Sequence, residues 1–280
     1  MINVFVLAWF LVGVLGVLLR CLFFRQSVSL PLQCLVLLYC GAPFLVPFTP
    51  KAVGILVVFL PYFLHRYFSH IPLLNGGSLF GLWLVFECGW MRLPFESTLP
   101  VSYAIILLTF FSIFILFSES RPINLFIDSF KMGKKDIQLA VYVYIVLLIS
   151  IIPLGYVTGF LSFQFFNPNL TFFVQTIVIG YFLYALPEEL LFRFLMIDFL
   201  RPFLKSERFL WIVTSCIFGL AHINNQMDGT VGFNWPYVLL GTIAGLGYGF
   251  VFMKTKKVSA SALTHALINM TWGMFFNTPY

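Results

Sequence analysis

Charged side chains are scarce in this chain, and their scarcity excludes an ordinary soluble domain. Asp, Glu, Lys and Arg make up 9% of the 280 residues, whereas 61% are hydrophobic and the mean hydropathy is +0.99. Soluble domains carry about 25% charged residues. We therefore predict an integral membrane protein, because no polar block is long enough to form a separate soluble domain.

The chain also lacks the usual signs of metal, phosphate and nucleic-acid sites. Its five cysteines include no C-x-x-C pair, which favours unpaired packing residues, and it has neither an H-E-x-x-H motif nor a glycine-rich phosphate loop. The net charge of +6 comes from Lys and Arg residues in short loops between apolar runs, a distribution typical of membrane topology. The sequence thus predicts no cofactor, no metal and no nucleic-acid partner, with a lipid bilayer as the surroundings.

Repeated apolar runs of about 20 residues predict an all-α, polytopic transmembrane bundle of about eight to ten spans. The predicted spans are 2–19, 28–48, 52–69, 76–92, 97–117, 137–160, 171–200, 209–223, 236–253 and 258–276. The third and fourth also suit re-entrant or interfacial segments. The first lacks the basic leader of a signal peptide, so we expect it to span the membrane.

The region before the sixth span predicts a boundary between two parts of the chain. Phe126, Ile127 and Phe130 lie among basic residues within 118–136, which indicates a helix lying along the cytoplasmic interface; the basic residues are Arg121, Lys131, Lys134 and Lys135. We expect residues 1–136 to hold N-terminal transmembrane helices plus this segment. Residues 137–280 are then the catalytic transmembrane core.

With ten spans, the basic loops fall almost entirely on one side. Thirteen residues share that side: Arg20, Arg25, Arg66, Arg121, Lys131, Lys134, Lys135, Arg201, Lys205, Arg208, Lys254, Lys256 and Lys257. Only Lys51 and Arg92 fall on the other. The positive-inside rule predicts that the thirteen are cytoplasmic and that both termini lie outside the cytoplasm.

The predicted span 171–200 contains two adjacent carboxylates and an arginine. Glu188 and Glu189 are about 100° apart on a helix, and Arg193 lies one turn beyond Glu189. We expect Glu189 and Arg193 to form a supporting ion pair. Glu188 then faces another direction as a functional carboxylate, because a purely structural pair would avoid the repulsion of a second acid.

Two later spans contribute imidazoles. Phe218 and His222 are four residues apart, as are His265 and Asn269, so each pair shares one helix face. At about 1.5 Å per helical residue, Glu188, His222 and His265 lie roughly 18, 20 and 11 Å from the cytoplasmic ends of their spans, so we expect them to meet at a similar depth in the cytoplasmic half or the middle of the bilayer. Ionisable groups at membrane depth usually face a partner or a wet cavity. We therefore predict that these residues form one active site.

The three motifs together resemble those of the CPBP family, the CAAX proteases and bacteriocin-processing (Abi) membrane proteins. The family pattern is E-E-x-x-x-R, then F-x-x-x-H, then H-x-x-x-N, and Glu188, His222 and His265 stand within matching segments in that order. The resemblance covers roughly the last half of the chain. It implies a metal-independent intramembrane endopeptidase that cleaves a membrane-anchored peptide or protein terminus.

The resemblance also implies a role for each motif residue. Glu188 and His222 would hold and activate water, while His265 and Asn269 would donate hydrogen bonds to the developing oxyanion. Glu189 and Arg193, with Phe218, would support the site. These roles suit the side chains, because carboxylates and imidazoles accept protons and preorganised donors stabilise negative charge. The composition and the lack of an organellar targeting segment favour a bacterial inner membrane.

Two other classes of function are compatible with the same residues. A zinc protease would use the two Glu and two His side chains as ligands, although Arg193 beside the carboxylates disfavours a cation. A non-enzymatic transporter, immunity protein or scaffold would use them as a proton relay or a polar contact. Loss of peptide cleavage in Glu188→Gln would separate a protease from the non-enzymatic class.

Overall fold

The structure is a computed structural model that describes residues 123–164, 170–225 and 232–277. These residues belong to one compact unit, Asn124–Tyr280, apart from Ile123. The five N-terminal spans predicted from the sequence lie outside the described residues. The number of eight to ten spans and the domain boundary at residue 136 therefore stay predictions.

The described residues are mostly helical. The elements are α1 (Ile123–Phe130), α2 (Lys134–Val157), β1 (Ser162–Phe163), α3 (Leu170–Ile179), π1 (Gly180–Ala185), α4 (Leu186–Glu189), π2 (Leu190–Leu195), α5 (Met196–Leu200), α6 (Glu207–Leu220), α7 (Trp235–Thr255), α8 (Val258–Phe275) and β2 (Phe276–Asn277). The helical elements confirm the predicted helical class, and the predicted spans after residue 136 match them closely. The two short strands were not predicted.

Two of the described helices, α2 and α7, are long and apolar enough to cross a membrane. In α2 the buried residues Ala140, Val143, Leu147 and Ile151 form one stripe at helical spacing. Large apolar side chains such as Ile145 and Ile149 are exposed on the other side. An apolar surface of this kind on both faces of a helix suits contact with lipid.

Residues 170–200, which we call the glutamate helix, run from α3 to α5 without a break but contain two π-helical stretches. The backbone N–H of Leu186 donates to Tyr181 O, and that of Met196 donates to Leu191 O, each five residues back. Pro187 follows the first stretch and has no N–H to donate. The wide turns flank Glu188 and Glu189 on both sides and set the directions of their side chains.

The helices run alternately between two ends of the bundle. At the basic end, which comprises residues 131–135, 201–208 and 254–257, Glu207 contacts Arg201 at 2.7 Å and Lys256 at 3.7 Å. Lys257 Nζ donates to Asp128 O at 2.7 Å, and Ser259 Oγ donates to Ser129 O at 3.1 Å. These contacts bring the described basic loops together, as the charge pattern predicts.

The other end, which we call the cavity end, comprises residues 158–164, 221–225, 232–234 and 276–277. Strands β1 and β2 pair there in antiparallel fashion, with Phe163 opposite Phe276. Asn234 begins α7 by accepting from the Tyr237 N–H at 3.0 Å, and its own N–H donates to Ile223 O at 2.9 Å. The ends of α2, α6, α7 and α8 are thereby held close to one another.

Small residues let α6 and α7 pack closely. A Cβ added at Gly219 would lie 2.6 Å from Val238 O, and one added at Gly249 would lie 2.6 Å from Trp211 Cδ1. The Trp211 indole N–H donates to Leu246 O at 2.8 Å across the same interface. Cys216, also on α6, is unpaired as predicted but exposed rather than packed.

Candidate active site

A buried hydrogen-bonded network forms around Glu189. Arg193 Nε donates to Glu189 Oε2 at 3.0 Å, and both side chains are fully buried. Ser261 Oγ donates to the same oxygen at 2.5 Å, while His265 Nδ1 lies 3.1 Å from Glu189 Oε1. The expected ion pair is therefore present. The contacts of Ser261 and His265 with Glu189 connect the glutamate helix to α8.

Arg193 extends the network to α7 and α6. Its Nη2 donates to Gly245 O at 3.1 Å, and its guanidinium carbon lies 5.2 Å from the centroid of the Phe218 ring. A Cβ added at Gly245 would meet Phe218 at 3.1 Å and Arg193 Nη2 at 3.4 Å. The absence of a side chain at Gly245 therefore leaves room for both groups.

Glu188 points away from this network, as expected for a second carboxylate on another helix face. Its Oε2 lies 3.9 Å from His265 Nε2 and accepts no hydrogen bond from the described residues. The side chain is 37% exposed, whereas that of Glu189 is 0% exposed. One glutamate is thus fully satisfied by protein groups, and its neighbour is left with capacity to bind something else.

His222 lies in the turn after α6 rather than within a helix that continues to residue 223. Its N–H bonds to Gly219 O at 3.0 Å, which tightens the last turn of the helix. Its Nδ1 lies 2.8 Å from Phe218 O. A carbonyl oxygen can only accept, so Nδ1 carries the proton and Nε2 of the neutral ring is an acceptor.

Aromatic rings fix the orientation of both imidazoles. The Tyr248 ring stacks on His265 with centroids 4.4 Å apart and an interplanar angle of 14°. Phe218 lies edge-on to His265 at 5.6 Å and tilted to His222 at 5.0 Å, while Tyr237 covers His222 at 4.6 Å. Rings packed in this way have few alternative rotamers, so both imidazoles are preorganised.

Glu188 and the side chains of the two histidine motifs line one cavity. Its volume is about 70 Å³, which is room for several water molecules. The polar side chains that line it are Glu188, His222, His265, Asn269, Tyr237, Tyr248 and Trp272. Phe218 also lines it, and Glu189 and Arg193 lie behind it. Every residue singled out from the sequence is thus at the cavity or directly behind it.

Several residues at this site were not predicted. Ser261 lies one helical turn before His265 on the same face, so its position relative to His265 was available from the sequence. Tyr248 and Tyr237 lie on α7, which carries none of the three motifs. Trp272, one turn beyond Asn269, has a buried indole N–H with no hydrogen-bond partner among the described residues.

Within the described residues, no group of three or more His, Cys, Asp or Glu side chains is arranged to hold a metal ion. Both Glu189 oxygens are already occupied, by Arg193, Ser261 and His265. The described site therefore consists of hydrogen-bonding and acid–base groups.

One comparison with known proteins finds a matching family for part of the chain. Residues 169–271 match the model of the Rce1-like family, described as type II CAAX prenyl endopeptidase Rce1-like. No curated protein and no solved structure matches the chain. The matched segment contains Glu188, His222, His265 and Asn269, and its family indicates a protease in a membrane. Residues 169–271, just over a third of the chain, thus match the family that the three motifs indicate, the CPBP or CAAX-protease family, and this match together with the two long apolar helices points to an integral membrane protein.

Proposed function

We propose that the protein is a glutamate-dependent intramembrane endopeptidase that hydrolyses a peptide bond in a membrane-associated peptide or protein terminus. The observation that carries the proposal is that Glu188 Oε2 has no hydrogen-bond partner among the described residues and lies at a cavity with room for several waters, which it shares with two oriented imidazoles. A merely structural carboxylate would find a hydrogen-bond partner when buried.

Charge balance supports this use of the site. Glu189 accepts from His265 Nδ1, so His265 can donate from Nε2 only as an imidazolium. In that form it is a counter-charge 3.9 Å from Glu188. Two carboxylates, the Arg193 guanidinium and one imidazolium sum to zero, which lowers the cost of charges at this depth.

The nucleophile in the proposed reaction is a water held between Glu188 and His222 Nε2. Both groups are acceptors, so they take both water hydrogens and leave a lone pair directed at the peptide carbonyl. As the oxygen attacks, Glu188 accepts one proton, which then passes to the leaving amine nitrogen. The tetrahedral oxyanion accepts hydrogen bonds from His265 Nε2 and the Asn269 amide. The C–N bond breaks to give a carboxylic acid and an amine.

The substrate is a segment that reaches the cavity from within or beside the bilayer. The match to an Rce1-like CAAX prenyl endopeptidase supports a terminus tethered to the membrane. The apolar outer surface of α2 supports the same environment. A bacterial inner membrane with a multi-pass arrangement fits the composition and the predicted spans.

Cleavage of a panel of membrane-anchored peptides by purified protein in liposomes tests the proposal. We expect turnover by the wild type and loss of turnover in Glu188→Gln, His222→Ala and His265→Ala, because each change removes a group that touches water or the oxyanion. Glu207→Gln is the matched control, since it neutralises a half-exposed carboxylate at the basic end and should leave turnover unchanged.

The same assay with a chelator separates the mechanisms. Turnover that resists chelation supports the glutamate mechanism, whereas turnover lost on chelation and restored by zinc replaces it with a metal-dependent one. Turnover that persists in Glu188→Gln contradicts the role of Glu188. No turnover of any peptide, together with a pH-dependent ion flux abolished by Glu188→Gln, would identify a transporter instead.

A further inference from the structure

One face of α8 lines the cavity along about two helical turns. The lining residues of this helix are His265, Ile268, Asn269 and Trp272, which recur at the spacing of a single helix face. They extend over about 10 Å of the helix axis at about 1.5 Å per residue. Three of the four side chains, an imidazole, an amide and an indole, can donate hydrogen bonds, so α8 presents a row of donors to the cavity.

Trp272 is the donor in this row that the proposed hydrolysis leaves without a role. Its Nε1 is buried and has no hydrogen-bond partner in the part of the chain that the structure describes. Buried indole N–H groups usually find a partner, and that of Trp211 donates to Leu246 O at 2.8 Å. An unpaired buried donor costs free energy. The Trp272 N–H therefore favours an occupant of the cavity that supplies an acceptor.

Aromatic neighbours hold the Trp272 indole at the cavity wall. The Phe160 ring lies at right angles to it with centroids 4.9 Å apart, and the Tyr237 ring is tilted against it at 5.5 Å. Tyr237 also covers His222 at 4.6 Å. An indole packed in this way has few alternative rotamers, so its N–H has a defined position relative to the His222 imidazole.

The cavity is smaller than a peptide substrate. Its volume is about 70 Å³, whereas pockets that bind small molecules measure about 300–1,000 Å³. The walls must therefore move apart as a peptide enters. Two covered polar atoms of the cavity residues, Glu188 Oε2 and Trp272 Nε1, then come within reach of the peptide.

The spacing of the donors matches an extended peptide. Trp272 lies about 7.5 Å along α8 from the midpoint between His265 and Asn269. Carbonyl groups on one side of an extended chain recur every second residue, about 6.6 Å apart. A peptide whose scissile carbonyl lies at His265 and Asn269 thus brings another carbonyl close to Trp272.

We propose that the Trp272 indole N–H donates a hydrogen bond to a substrate backbone carbonyl two residues from the scissile bond. The substrate then binds along α8 in an extended conformation, held through its main chain. The proposal rests on the proposed function, because His265 and Asn269 position the scissile carbonyl there. It makes Trp272 a substrate-binding residue.

Steady-state kinetics on one membrane-anchored peptide in liposomes test the proposal. Trp272→Phe keeps an aromatic ring against Phe160 and Tyr237 but removes the N–H. The carbonyl that Trp272 binds does not change during the reaction, so the bond is equal in the ground state and the transition state. We therefore expect KM to rise about three- to tenfold with kcat unchanged.

A second replacement at position 272 keeps the shape of the side chain. In β-(3-benzothienyl)alanine a sulfur atom stands in place of the indole N–H, and this residue should give the same rise in KM without loss of stability. Trp211→Phe is the matched control, because it removes a paired indole N–H outside the cavity. It should lower thermal stability in detergent and leave KM unchanged. Lower stability with unchanged KM in the sulfur analogue assigns the N–H to packing against Phe160 and overturns the proposal.

Peptides in which one peptide bond at a time is replaced by an (E)-alkene locate the carbonyl. The alkene keeps the extended geometry but has no acceptor. Two residues from the scissile bond, it should raise KM about three- to tenfold more in the wild type than in Trp272→Phe, because only the wild type has a bond to lose. Equal rises in both proteins at every position overturn the proposal.

Peptide binding separates a failure of this inference from a failure of the proposed function. Glu188-dependent cleavage with the same KM in the wild type and Trp272→Phe keeps the proposed function and overturns the inference. If no peptide is cleaved, a fluorescent membrane-anchored peptide is titrated into both proteins. Binding about three- to tenfold weaker in Trp272→Phe then upholds the donor role while the proposed function fails. Equal binding overturns both.

Discussion

At the scale of single residues, Glu188 and Glu189 are chain neighbours in opposite environments, and their amide variants should fail in opposite ways. Glu189→Gln leaves the Arg193 guanidinium buried without its counter-charge, and breaking a buried pair in this way costs about 3 to 5 kcal/mol. Glu188→Gln removes a carboxylate that accepts no hydrogen bond from the described residues. Unfolding in detergent should therefore shift strongly for Glu189→Gln and little for Glu188→Gln, although Glu188→Gln abolishes cleavage.

Glu207→Gln is the reference for the loss of stability expected in Glu189→Gln. Glu207 bonds to Arg201 at 2.7 Å with both side chains about half exposed. Exposed ion pairs contribute about 0 to 1 kcal/mol. A loss of stability in Glu189→Gln no larger than in Glu207→Gln would contradict the structural role of the buried network.

Ser261 provides a second prediction at this scale. Ser261→Ala removes the hydrogen bond to Glu189, and bonds to charged groups are worth about 1.5 to 3 kcal/mol. Because Glu189 also holds His265, we expect kcat to fall about tenfold or more through misplacement of the imidazole, with little change in KM. Measuring both constants on one cleavable peptide checks this expectation.

Ser259→Ala is the matched control for Ser261→Ala. Ser259 lies two residues earlier on α8, is equally buried, and donates to the neutral carbonyl of Ser129. Its loss should cost about 0.5 to 1.5 kcal/mol of stability and leave kcat unchanged. Equal effects of the two variants on kcat would show that Ser261 acts on stability alone.

The sequence predicted the site residues that follow helical spacing. Glu189 with Arg193, and His265 with Asn269, are separated by one turn, so a single helix specifies each pair. Tyr248, by contrast, stacks on His265 from another helix, and the Trp272 indole N–H has no hydrogen-bond partner among the described residues. Such contacts depend on the relative positions of helices, which no local period encodes.

At the scale of elements, the close approach of α6 to α7 at Gly219 helps to determine where His222 lies. Gly219→Ala would place a Cβ 2.6 Å from Val238 O and 2.8 Å from Thr242 N, both backbone atoms. Overpacking of this kind costs about 1 to 3 kcal/mol. Because His222 follows three residues later, we expect Gly219→Ala to lower both thermal stability in detergent and the rate of cleavage.

Gly273→Ala makes the same change on α8 where a Cβ would meet nothing within 4 Å. Alanine is about 1 kcal/mol more favourable than glycine within a helix, so this variant should be neutral or more stable. A destabilised Gly273→Ala, or a Gly219→Ala variant that behaves like it, would contradict the close approach of α6 and α7.

Helix positions after residue 136 were predictable because apolar runs between polar loops mark them, and α7 and α8 begin within one residue of the predicted starts. The π-helical turns were not, since only Pro187 hints at a disturbed hydrogen-bond pattern. His222 was expected inside a helix. Its side chain instead bonds to Phe218 O as the helix ends, an outcome set by the reversal of the chain toward Asn234.

At the scale of the whole molecule, charge and hydrogen bonding together define the part that carries the site. Lys257 and Ser259 bond to the end of α1 through Asp128 O and Ser129 O, and Gly133 begins α2 by donating to Asp136 at 2.8 Å. Residues 124–136 thus bond to the turn between α7 and α8 and to the start of α8. His265 lies two turns further along α8.

A fragment of residues 124–280 should therefore be more stable than one of residues 137–280, which loses α1 and the first turn of α2. We expect the shorter fragment to lose both interhelical hydrogen bonds to residues 128 and 129, worth about 1 kcal/mol each. Heating both fragments in the same detergent and following the monodisperse fraction measures the difference. Equal stability would place the domain boundary at residue 136, as the interfacial segment predicts, because residues 124–136 would then contribute nothing to the folded core.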